Sequence, residues 1–153
     1  TQAKLAIAVA ESVQQMDIVY GAKIVRALEL ADSSDAGCRR EAMVTLTRAI
    51  EFATETDLHR IAIEARRNLA RLKLNNGDLE SALEHASIAA ALAGRYGMTL
   101  YKVTIRIMLG QILHARGTRD AADAMISNAI GEAGRIGYQR AIEAAQFARA
   151  RLR

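Results

Sequence analysis

Residues 61–100 read IAIEARRNLARLKLNNGDLESALEHASIAAALAGRYGMTL. The stretch holds two helical patterns and one break. Ile61, Ala65, Leu69 and Leu72 recur at steps of three and four, which puts them on one helix face. Asn75-Asn76-Gly77 stops that pattern, because glycine takes the left-handed conformation that ends a helix. Asp78 is placed to cap a second helix. In that helix Leu79, Ala82, Ala86, Ala89 and Ala93 again share a face.

The same framework stands 40 residues to either side. Gly37, Gly77 and Gly117 keep that step. So do Ala42, Ala82 and Ala122, then Ala49, Ala89 and Ala129, then Ala53, Ala93 and Ala133. Arg26, Arg66 and Arg106 also recur, and their regularity favours a structural job, with aliphatic stems covering the packing between units. Three full units follow, 21–60, 61–100 and 101–140. Asp17, Asp57, Gly97 and Gly137 occupy one position between units, read as N-caps or helix boundaries. Residues 1–20 form a partial unit, in which 3–15 match a second helix. Residues 141–153 match the first helix of a fourth unit. A repeat of this length implies stacked helical units with an extended surface, not a globule around one buried active site. The expectation is an all-α chain of about eight antiparallel helices. They form one repeat domain over 1–153, cut from a longer protein.

Composition agrees. The chain is 51% hydrophobic and 25% charged, a balance that folds. Proline is absent, so nothing interrupts a helix from within. A net charge of +4 permits an acidic partner without demanding one. The arginines are dispersed among acids rather than interleaved with aromatics, which argues against nucleic acid. A single cysteine, Cys38, cannot make an internal disulfide and fits a reducing, cytoplasmic setting. No segment approaches the ~18 consecutive apolar residues of a membrane span.

The small-residue pattern resembles the tetratricopeptide repeat. That family sets a Leu-Gly pair in its first helix, a small residue twelve positions later, a large apolar residue after four more, and Ala at the next crossing. Here the third unit has Leu109-Gly110, Ala122, Ile126 and Ala129. The second has Leu69-Ala70, Ala82, Ala86 and Ala89, and the first has Glu29-Leu30, Ala42, Leu46 and Ala49. The unit is longer than the usual ~34 residues. It resembles the long units of MalT-like bacterial transcription activators and signalling ATPases. The resemblance implies a right-handed superhelix of helix pairs that binds a protein or peptide. An alternative is the sensor segment of a multidomain transcription regulator or signalling ATPase.

Motifs for catalysis are missing. No phosphate-cradling G-x-x-x-x-G-K-[ST], no H-E-x-x-H and no G-x-S-x-G occurs. His59, His85 and His114 lie in different units, so no metal site or cofactor is expected. A non-enzymatic interaction module is the leading reading. First helices of such a stack line its inner groove. The stripe Glu64, Arg67, Arg71 and Asn75 should therefore meet the partner, followed by Thr104, Ile107, Gln111 and His114, then Ala144, Phe147 and Arg151. Arg67 and Arg71 suit a carboxylate or phosphate. The first-unit equivalents Ile24, Ala27 and Ala31 are apolar and make one end of the groove greasy. Exposed end helices also offer a surface for a homodimer.

Overall fold

The computed structural model describes residues 2–152. Seven helices follow one another, with no strand among the described residues: α1 (Gln2–Ala31), α2 (Ala36–Glu55), α3 (His59–Asn75), α4 (Leu79–Arg95), α5 (Thr99–Ala115), α6 (Arg119–Arg135) and α7 (Gln139–Arg151). The chain divides into two compact units, 1–65 and 66–153. In the first, α1 packs on α2. In the second, α5 packs between α4 and α6, and α7 lies on α6 and α5.

Turns between α2 and α7 share one geometry. Gly77, Gly97, Gly117 and Gly137 all have positive φ, between 67° and 89°, and Asp57 holds the same position at φ 55°. After each, the next amide donates back across the turn. Leu58 N–H donates to Ala53 O, Asp78 to Lys73, Met98 to Ala93, Thr118 to Leu113 and Tyr138 to Ala133, at 2.8–3.0 Å. This closure satisfies a carbonyl that the helix end leaves free. It recurs every 20 residues from Asp57 to Gly137, so units 61–100 and 101–140 each hold two such turns and unit 21–60 holds one, at Asp57.

The structure corrects three expectations. Among the described residues there are seven helices, not the expected eight, because α1 runs unbroken through Asp17. Asp17 is no helix boundary. Its carboxylate accepts from Arg60 Nη2 at 2.7 Å, and neither proline nor a left-handed residue is there to stop the helix. Asp57 is not an N-cap either, since α3 starts at His59. Gly37 lies inside the first turn of α2, where Asp35 is the cap and accepts from Cys38 N at 2.9 Å. Asp78 does cap α4, accepting from Ser81 N at 3.3 Å. Thr118 precedes α6 without a side-chain cap bond, its hydroxyl donating back to Leu113 O.

The repeating alanines are core. Ala42, Ala82 and Ala122, with Ala49, Ala89, Ala129, Ala53, Ala93 and Ala133, are each at most 1% exposed. A methyl there lets helix axes approach closely, and a larger side chain would overpack the crossing. Gly110 shows the tightest contact. A Cβ on it would lie 2.5 Å from Ile126 Cγ1 and 3.3 Å from Ala122 O. Val103, Ile107, Ile126, Ala129, Ala141, Ala145 and Ala148 form the cluster that joins α5, α6 and α7. At the other end Leu5, Ile7, Val9 and Val13 of α1 are 44–68% exposed.

Two of the recurring arginines pair across helices. Arg106 donates to Glu132 Oε2 at 2.5 Å, and Lys102 meets the other carboxylate oxygen, also at 2.5 Å. The Lys102 hydrogen bond, aided by the Arg106 charge, holds the Glu132 carboxyl below its ordinary range against the opposing effect of burial. Arg66 Nη1 lies 3.3 Å from His85 Nδ1. Burial first, and the Arg66 charge second, lower the His85 imidazole below its ordinary value.

Candidate binding cleft

Within unit 66–153, three helices meet around an open cleft of about 480 Å³. The last turn of α3 supplies Arg71, Leu74 and Asn75. The middle of α5 supplies Met108 and Gln111. The end of α7 supplies Phe147, Ala148 and Arg151, with Leu152 beyond it. The placement follows from the turns. Each chain reversal returns alternate helices to the same direction, and residues of α3, α5 and α7 line the one cleft.

Five of the eleven residues singled out from the sequence meet there: Arg71, Asn75, Gln111, Phe147 and Arg151. Arg71 and Arg151 are exposed, and the lining contains no carboxylate. The Arg151 guanidinium sits 5.5 Å from the Phe147 ring centroid, and Phe147 itself is 65% exposed. An exposed aromatic carrying a cation offers both an apolar anchor and a charge at the cleft rim.

The other six lie elsewhere, Ala144 being exposed on α7 outside the cleft lining. Arg67 is half-buried, its guanidinium 5.5 Å from the Tyr101 ring. Glu64 accepts from Arg60 Nη1 at 3.1 Å in unit 1–65. Thr104 Oγ1 donates to its own helix at Tyr101 O. Ile107 is only 7% exposed and belongs to the α5–α6–α7 core, so it supplies packing and not open surface. His114 faces a separate depression of about 210 Å³ with Arg119, Asp123 and Arg149. The apolar trio Ile24, Ala27 and Ala31 is buried, so it does not extend a groove as an open greasy end.

Sequence reasoning missed the apolar walls Leu74, Met108, Ala148 and Leu152. Leu74 lies three residues after Arg71, and Met108 three before Gln111. A search of the helical neighbours of each chosen polar residue would have found both. Among the described residues no cluster of His, Cys, Asp or Glu could hold a metal ion. None of the helices is long and apolar enough to cross a membrane. Comparison with protein-family models, with curated proteins and with solved structures gives no match in any of the three.

Proposed function

We propose that the chain is a non-enzymatic recognition module of the tetratricopeptide type, a right-handed superhelix of helix pairs. Its α3–α5–α7 cleft takes an acidic peptide segment of a partner protein. One observation carries this reading: two exposed arginines and an exposed phenylalanine line a single cleft that contains no acid. Arg71 and Arg151 would fork a carboxylate each. Phe147 and Met108 would receive an apolar side chain between them, and Asn75 and Gln111 would bond the peptide backbone. Because the residues sit on packed helices, little backbone ordering is needed when the partner docks.

A random peptide library selected against the protein tests this. The expected outcome is enrichment of sequences in which an acidic residue flanks an apolar one. Selection of basic or featureless sequences, or the same sequences enriched on an Arg71→Ala/Arg151→Ala variant, contradicts it.

A further inference from the structure

The repeat breaks at Arg26. Its two counterparts are both partnered: Arg106 finds Glu132, 26 positions on, and Arg66 finds His85, 19 positions on. At the same offsets from Arg26 stand Phe52 and Thr45. Neither is a carboxylate or an imidazole. Phe52 is engaged instead in a ring stack with Tyr20, centroids 4.3 Å apart. Arg26 consequently makes no ion pair or hydrogen bond among the described residues.

Arg26 opens on a pocket of about 250 Å³ between α1 and α2, lying wholly within unit 1–65. Lys23 and Arg48 line the same pocket. Lys23 Nζ lies 4.6 Å from the Tyr20 ring centroid, and Arg48 has no ion pair among the described residues. Glu41 is the single acid in the lining. Three cations therefore face one carboxylate, and the two uncompensated charges attract an anion. Thr45 adds a hydroxyl and the half-buried Leu30 an apolar wall. The volume falls just below the ~300–1,000 Å³ of ordinary small-molecule sites, which suits a compact ligand and not a folded segment.

We propose that this pocket binds a small organic oxyanion, a carboxylate or a phosphate monoester. Arg26 and Arg48 hold the charged group, and the ligand's body rests against Leu30. The site shares no lining residue with the α3–α5–α7 cleft. Titration of the full chain with succinate and with inorganic phosphate, at constant ionic strength, tests it by amide NMR. The expected result is a saturable shift confined to residues 20–48 with at least one of the two probes. Arg26→Gln and Arg48→Gln should each weaken it by about tenfold or more, and Arg71→Gln should leave it unchanged. Thr45→Glu keeps both arginines but gives them an internal carboxylate, and it should abolish the shift while circular dichroism shows native helix content. Shifts that rise linearly, that chloride reproduces at matched ionic strength, or that persist in Thr45→Glu would overturn the proposal.

Discussion

Gly110 and Gly134 separate two effects that a helical glycine combines. Alanine at either position gains up to about 1 kcal/mol of helix propensity. At Gly134 nothing lies within 4 Å of the added methyl, so Gly134→Ala should stabilise by roughly that amount. At Gly110 the methyl meets Ile126 Cγ1 at 2.5 Å, and Ile126 is fully buried. Overpacking costs about 1–3 kcal/mol, so Gly110→Ala should destabilise on balance. Urea midpoints of the two variants should move in opposite directions. This contact was legible in the sequence, because Ala122 and Ile126 stand twelve and sixteen positions after Gly110. His85 gives a second residue-scale outcome. Its folded pKa lies below the ordinary 6.5, so the unfolded chain takes up a proton first as pH falls. The stability it contributes is present above pH 6.5 and lost as pH falls from there towards the folded pKa. The one-proton ceiling on that slope is about 1.4 kcal/mol per pH unit. Unfolding free energies between pH 7.5 and 5.5 should therefore fall more in the native protein than in His85→Gln.

Helix α1 is where periodicity alone misled. Position 17 aligns with Asp57, Gly97 and Gly137, all left-handed, yet here the helix continues. Alignment identifies a position but not its conformation, which depends on the turn closing over a packed partner. The exposure of Leu5, Ile7, Val9 and Val13 shows that residues 3–15 have no such partner among the described residues. From Asp17 onwards the helix is anchored, by Arg60 through the Asp17 ion pair and by the burial of Ile24 and Ala27. An unpacked helical segment of this length is marginal in water. Hydrogen exchange should accordingly find amides of residues 5–14 exchanging much faster than those of 22–31. Equal protection across α1 would show that its first half is covered.

At the scale of the molecule, the all-helical class and five turn positions were legible, because buried alanine and left-handed glycine leave few alternatives. The cleft was legible only in part. Stripe reasoning selects a helix face, but where neighbouring helices close over that face it becomes core. Ile107 and Arg67 were lost in that way, one to the α5–α6–α7 cluster and the other to the Tyr101 ring. Where no helix closes over it the face stays open, and there Arg71, Asn75, Gln111, Phe147 and Arg151 converge. The central claim is that these side chains recognise an acidic peptide. It is tested most directly by fluorescence anisotropy with one library-selected peptide, measured on the native protein and on Arg71→Ala/Phe147→Ala. Loss of a charged hydrogen-bonding group and an aromatic anchor predicts affinity weaker by about 30-fold or more, with helix content unchanged. Equal affinity of the two proteins for the peptide would contradict the account.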